Sequence, residues 1–439
     1  MKLYEYARKI NHKIKKYKKE KAGKFLSPVR RIEKFAPVLG DKKYIAMTFD
    51  DGPMNLPPNP ENENYKEYNS LTKVIIEIMK EYNANGTFNV VGSTEDNYPD
   101  KKGDLHGTKW GGVMNDHYPK YNEDKNGGAF NQSKLVKDLI DNGHEISSHG
   151  YVHKLFGPNK LIYGSRDHLK NINEVYRDLQ RLHELFIERY NYDITLSRPP
   201  HYIDKIPDGY DSYDAYALMK YDYLAASFDG GGWLPSTGDY DKDVKKMVDP
   251  IKNALEKNPD ALNGQIIFQK DGYNMSEMTP VCHALPQHLK ILKDKGYEVV
   301  TVSKLRKLSP FEDIKTDDDY IKDLVDLDSK GYVIGYKNNT FKANKLLTQG
   351  EMLTMTLTKE IWSSFLMKKI HDKNFKKNYK KNPYYLTYSY YNLLDHYNKW
   401  NEEVNSDDMQ NLFQKIGIDK DIKSFNKIKR KDYVEILNK

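Results

Sequence analysis

Two adjacent acids close the segment YIAMTFDDGP, residues Tyr44 to Pro53: Asp50 and Asp51 follow a run of strand-forming residues, and Gly-Pro ends it. Successive side chains on a strand face opposite ways, so such a pair can serve two purposes. One carboxylate can hold a divalent cation while its neighbour stays free as a base, and the cation offsets the repulsion between the two. Further along, HGYVH sets His149 and His153 four apart, a spacing that predicts both imidazoles on one face of a helical turn, within reach of one ion. Two histidines and one carboxylate with open positions suit Zn²⁺ or another borderline divalent ion acting as a Lewis acid. Such an ion acidifies water, and a carboxylate placed to take the proton completes a hydrolytic nucleophile.

The remaining polar exceptions share a position in the pattern. Arg198 follows the strand-like ITLS, Asp229 and Trp233 follow YLAAS, and Gln269, Lys270 and Asp271 follow GQIIF. Each stands at the C-terminal end of a predicted strand, where parallel barrels and doubly wound sheets gather their active sites. The text between them alternates. Ser70 caps a predicted helix reaching Ala84, GTFNVVG is a strand, QSKLVKDLIDNG is a helix closed by Gly143, and a long amphipathic helix runs from Arg166 to Tyr190. Ser93 to Phe130 is polar, rich in Gly and Asp, and reads as a long surface insertion. Alternation of this kind argues for a parallel sheet, open or closed into a barrel.

At 439 residues the chain has room for two or three domains. Its formal charge of +7 is spread over 70 Lys/Arg and 63 Asp/Glu, far from the dense basic stripe of a nucleic-acid partner. The single Cys282 excludes an intramolecular disulfide, Cys-rich zinc sites and Fe–S clusters built by this chain alone. No stretch approaches the ~20 apolar residues of a membrane span. Residues 1–40 read as a basic N-terminal arm, with a solvated lysine run from Lys13 to Lys24 and no apolar core of a signal peptide.

TFDDGP (Thr48 to Pro53), HGYVH (His149 to His153) and RPP (Arg198 to Pro200), in that order, resemble the signatures of the metal-dependent polysaccharide deacetylases, carbohydrate esterase family 4 or NodB homology domain. The connecting text GTFNVVG, NGHEISSH and LKDKGYEVVTVSKL matches as well, so the resemblance covers Lys42 to Leu305. It implies a distorted (β/α) barrel over residues 41–307 that removes acetyl groups from N- or O-acetylated polysaccharide. By motif, Asp50 resembles the catalytic base, and Asp51, His149 and His153 the metal triad, with Zn²⁺ expected and Co²⁺ or Ni²⁺ as alternatives. Arg198 would hold Asp50, the His201 backbone N–H would help hold the oxyanion, and Pro200, Asp229 and Trp233 would face the sugar. Two positions depart from the family. Gly232 stands where an Asp normally precedes the Trp, and Lys270 stands where a His normally acts as general acid. Lys270 is therefore expected as an altered catalytic residue, with His283 or His201 as substitutes. The alternative is a cell-wall glycan-binding protein that keeps the fold without turnover. A glycosidase would need a second acid flanking the bond, which the sequence does not place.

After Ser309-Pro310 the pattern changes to a helix, a glycine turn, an exposed loop carrying Phe341 and a helix beginning near Thr348, with an echo at the chain's end. Residues 308–439 resemble S-layer homology repeats, clear over 308–360 and degenerate over 405–439, which implies a small, mainly α-helical domain. Leu347 to Glu351 stands for the family's final signature with Gln349 in place of its Arg, and the second copy keeps Arg430. The Tyr-rich stretch between the copies is expected to be packing and spacer rather than a sugar platform. Such repeats imply attachment to a cell-wall polymer, and with it a location at the wall or cell surface.

Overall fold

The computed structural model describes residues 19–55, 70–93, 108–110, 113–115, 126–159, 167–234, 236–272, 278–315, 318–420, 422 and 425–439. These divide into two compact units, one of residues 33–308 and one that joins the N-terminal residues through Ile32 to Ser309–Lys439. Lys13 to Lys18 of the lysine run, and most of the insertion from Ser93 to Phe130, lie outside the described residues. Within that insertion Thr108–Trp110 pairs antiparallel with Val113–Asn115.

The unit of residues 33–308 is built on a parallel sheet. Its strands are β1 (Lys43–Asp50), β2 (Thr87–Val90), β3 (Glu145–Ser148), β4 (Leu196–Ser197), β5 (Asp222–Leu224), β6 (Phe228–Asp229), β7 (Ile266–Lys270) and β8 (Tyr297–Val300). Their spatial order is β5-β4-β3-β2-β1-β7-β6, with β8 also along β1. The stretch YLAASF, expected as one strand, is two. Its halves β5 and β6 lie at the two ends of this path, separated by Ala225, Ala226 and Ser227. In a flat sheet six strand spacings would put those ends roughly 29 Å apart, whereas the chain from Leu224 to Phe228 reaches no more than roughly 14 Å. The sheet must therefore curl until its edges approach, and the short link draws it into an open barrel.

The helices that cover the sheet follow from apolar spacing and capping. In α1 (Leu71–Glu81) the Ser70 side chain accepts from the Lys73 N–H, and Val74, Ile75, Ile78 and Met79 are buried. After α2 (Ser133–Asp141), the long helix α3 (Ile172–Tyr190) starts later than its amphipathic pattern suggests, because Asn171 caps it by accepting from the Glu174 N–H at 3.0 Å. Then come α4 (Ser212–Met219), α5 (Tyr240–Lys257), α6 (Val281–Asp294) and α7 (Val302–Leu308). The last seals the N-terminal ends of the strands. Val302 N–H donates to Thr87 Oγ1 at 3.0 Å, Ser303 N–H to Glu145 Oε2 at 3.2 Å, and Arg306 Nη1 to Asp222 Oδ2 at 2.7 Å. With that end closed, chemistry is left to the C-terminal ends.

The second unit contains α8 (Ile321–Ser329), α9 (Gln349–Met355), α10 (Lys359–Lys369), α11 (Lys373–Lys381), α12 (Tyr384–Tyr390), α13 (Ser406–Ile416) and α14 (Arg430–Asn438). Thr348 and Glu351 form a capping box at α9. Residues 345–347 and 428–430 pair with each other: Leu347 N–H donates to Ile428 O at 2.8 Å, and Arg430 N–H to Lys345 O at 3.0 Å. Arg430 is fully buried. Its guanidinium donates to the carbonyls of Phe341 and Ile334 and lies 4.8 Å from the Tyr336 ring centroid. In the Tyr-rich stretch Tyr384 and Tyr388 are buried, Tyr384 against Trp400 and Tyr388 against Tyr397. Residues 19–32 do not stand apart as an arm. Leu26 and Val29 are buried, Leu26 N–H donates to the Tyr384 hydroxyl at 3.1 Å, and Arg30 pairs with Asp328 at 2.6 Å.

Candidate active site

β1 ends at Asp50, and its neighbours bring other polar groups alongside in register: Asp50 lies beside Asn89 on β2 and Lys270 on β7. Asp50 is 4% exposed. Arg198 Nη1 and Asn89 Nδ2 (2.6 Å) both donate to its Oδ1. Arg198 is itself fully buried and fixed by further donations to Thr48 Oγ1 at 3.0 Å and to the carbonyls of Leu224 and Ala225. Asp50 Oδ2 faces His149 Nε2 at 3.8 Å.

Asp51 has left the strand: its φ of +81° lies in the left-handed region and swings the side chain toward the histidines. Its Oδ1 lies 3.3 Å from His149 Nε2 and 3.4 Å from His153 Nε2. Burial opposes the Asp51 charge, but the Lys270 ammonium and the two imidazoles outweigh it and hold the carboxyl well below the usual carboxylate range. Burial likewise opposes a charge on His149, yet Asp50 and Asp51 keep its imidazole above the ordinary value. For His153 burial prevails and lowers it.

Asp51, His149 and His153 are all buried, and their ligand atoms lie within 4.8 Å of one another. His149 Nδ1 donates to the Arg198 carbonyl at 2.8 Å, which keeps a ring proton on Nδ1 and turns Nε2 toward Asp51 as the nitrogen that would meet an ion. These residues fit a divalent cation with one oxygen and two nitrogen donors. The turn that presents the histidines is not the helical one expected. Gly150 (φ +79°) and His153 (φ +56°) are both left-handed, and convergence comes from those two reversals.

Two supporting residues escaped the sequence reading. Asp178 on α3 accepts from Tyr151 N–H at 2.8 Å and Val152 N–H at 3.0 Å, pinning the turn between the histidines. Burial pushes its carboxyl up to about 6. A Cβ at position 150 would come within 2.9 Å of Asp178 Oδ2, so the turn requires glycine there. Its signal in the sequence was an acid on the apolar face of an amphipathic helix, among Val175, Leu179 and Leu182. Asn89 gave a similar signal, a lone amide inside TFNVV.

The other expected residues fall around this centre. The His201 ring centroid is 5.2 Å from that of His153. His201 (φ +54°) and Tyr202 (φ +56°) are consecutive left-handed residues after the buried Pro200, a backbone arrangement that costs on the order of 1 kcal/mol each and clusters at working sites. Lys270 Nζ lies 2.6 Å from Asp51 Oδ2. Asp271 is fully buried and hydrogen-bonds Thr72 Oγ1 at 2.7 Å; burial raises its carboxyl to about 7, with Asp51 adding to the effect. Asp229, on β6 beside β7, accepts from the Trp233 indole Nε1 on its Oδ2 at 3.0 Å. His283 pairs with Tyr240 at 2.9 Å, and burial lowers its imidazole.

Residues 39–204 match the family model described as polysaccharide deacetylase. Among curated proteins, the chain is 25% identical over 303 residues to the peptidoglycan-N-acetylmuramic acid deacetylase PdaC of Bacillus subtilis, covering 69% of this chain and 47% of PdaC. It is 24% identical over 272 residues to a peptidoglycan-N-acetylglucosamine deacetylase of Bacillus cereus, covering 61% of this chain and 90% of that protein. The chain thus spans about half the length of the first relative. Of solved structures, Bacillus subtilis PdaC aligns with 62% of this chain and 93% of its own at 23% identity and a TM-score of 0.38. The residues matched by the polysaccharide deacetylase model contain β1 to β4 together with Asp50, Asp51, His149, His153 and Arg198.

Proposed function

We propose that the unit of residues 33–308 is a metal-dependent hydrolase that removes acetyl groups from cell-wall polysaccharide, with acetylated peptidoglycan as its substrate class. The observation that carries this reading is the convergence of Asp51, His149 and His153 beside an Asp50 held by Arg198 and Asn89. The names of the two Bacillus relatives support the substrate class.

A divalent ion in that triad, Zn²⁺ before Co²⁺ or Ni²⁺, would acidify water and polarise the acetyl carbonyl. The chain's own groups do the rest. Asp50 takes the proton of the attacking water on Oδ2, since its Oδ1 is engaged by Arg198 and Asn89. The His201 backbone N–H, set by its left-handed turn, donates to the carbonyl oxygen as negative charge grows. Trp233, oriented by Asp229, flanks the sugar. The C–N or C–O bond then breaks, releasing acetate and an amine or alcohol that has gained one proton.

A second reading, a glycan-binding protein without turnover, is favoured by Lys270 on Asp51 and by the lack of a carboxylate at Gly232. Acetate release from a panel of acetylated glycans separates the two, using metal-stripped protein reloaded with Zn²⁺, Co²⁺ or Ni²⁺. Release that needs metal and falls about 10²–10⁴-fold in Asp50→Asn supports the hydrolase. No release from metal-loaded protein supports the binder.

For residues 308–439 the reading is attachment to a wall polymer, placing the protein at the cell wall or cell surface. It rests on the S-layer homology resemblance and on the pairing of residues 345–347 with 428–430. No helix among the described residues is long and apolar enough to cross a membrane.

A further inference from the structure

The two oxygens of Asp51 face different partners. Oδ1 looks toward His149 and His153 at 3.3 and 3.4 Å, while Oδ2 is held by Lys270 Nζ at 2.6 Å. Asp50 is treated alike, with Arg198 on one oxygen. Two carboxylates therefore meet two basic side chains here, and each acid has a partner before any ion arrives. The ammonium reaches Asp51 from the end of β7, where Lys270 is the register partner of Asp50 and the Asp271 N–H donates to the Asp50 carbonyl at 2.8 Å. Only 20% of the Lys270 side chain is exposed, so solvent screens the pair weakly.

We propose that Lys270 is a positioning residue for the metal centre: it occupies Asp51 Oδ2, leaves a single oxygen for the ion, and by its own charge weakens ion binding. The inference rests on the reading of Asp51, His149 and His153 as the metal set. Three effects follow from the placement. Asp51 is restricted to one-oxygen ligation, the metal-free site stays intact because its buried carboxylate keeps a counter-charge, and the ion is held loosely enough to exchange. Proton delivery to the leaving group then falls to another residue.

The test is calorimetric titration of Zn²⁺ and Co²⁺ into the metal-stripped full chain, for the wild type, Lys270→Gln, Lys270→Arg and His149→Ala, with a melting curve for each before and after loading. Lys270→Gln is expected to bind about 10–100-fold more tightly, with a lower Tm when metal-free and a larger rise on loading. Lys270→Arg keeps the charge and is expected to bind within about 3-fold of wild type, which also covers the case in which Lys270→Gln does not fold. Equal or weaker binding by Lys270→Gln, or tight binding by Lys270→Arg, overturns the inference while His149→Ala still abolishes binding. If the wild type takes up neither ion, or His149→Ala binds as well as wild type, the metal set itself is refuted and the inference with it.

Discussion

A side chain fits at position 232. The nearest atoms a Cβ would meet there are Met247 Cε at 3.4 Å, Gln269 Oε1 at 3.7 Å and the Lys270 backbone nitrogen at 3.7 Å. None of these is a clash, and they place an introduced carboxylate next to residue 270. The double variant Gly232→Asp with Lys270→His would therefore pair a carboxylate with an imidazole whose ordinary pKa lies near neutrality. Acetate release by this variant is expected to exceed wild type by about 10²-fold, as a supplied general acid allows. Each single variant should gain less. A double variant no faster than wild type would refute the idea that proton delivery to the leaving group limits the rate. At this scale the sequence was most informative where a residue type was chemically out of place. The doubled acid at 50–51, the histidine pair and Arg198 at a strand end all converge. What could not be read was direction: that Lys270 turns onto Asp51 depends on the left-handed Asp51 backbone, which no residue type announces.

The elements show the same division. β1, α1, β2 and α2 lie where strand-like runs, apolar spacing and the Ser70 cap put them, because each is decided within a few residues. β5 and β6 were hidden because YLAASF is uniformly strand-like, and its break is imposed by the pairing of one half with β4 and of the other with β7. The turn from His149 to His153 was misread for a related reason. Its shape is set by a carboxylate from α3, more than twenty residues later in the chain. Asp178→Asn puts an amide N–H against one of the two backbone donors and should loosen the turn. Metal affinity is expected to fall about 10–100-fold, read by competition with a chelator, and the melting temperature of metal-free protein should change less. Unchanged affinity with a lowered melting temperature would reduce Asp178 to a packing role.

At the scale of the whole chain, one unit is continuous and the other is assembled from two distant stretches. The stretches are joined through Arg30, whose guanidinium is bonded to Asp328 at 2.6 Å and to the Pro310 carbonyl at 2.7 Å and lies 4.4 Å from the Phe311 ring centroid. Arg30→Ala removes the ion-pair partner of the Asp328 side chain, which is 8% exposed, and should cost that unit roughly 3 kcal/mol. A thermal scan of the full chain is expected to show its transition moved to lower temperature while that of residues 33–308 stays in place. A scan identical to wild type would mean the stretch from 19 to 32 adds nothing to the unit's cohesion.

The same split layout sets a timetable for synthesis. The segment ending at Ile32 leaves the ribosome before any of its partners, which begin at Ser309. At about 5–20 residues per second, translation of the stretch between them takes on the order of tens of seconds. That is ample time for a barrel whose strands are all present by residue 300 to close. The unit of residues 33–308 can thus be finished while the early segment, with Leu26 and Val29 still uncovered, waits for the last third of the chain to emerge.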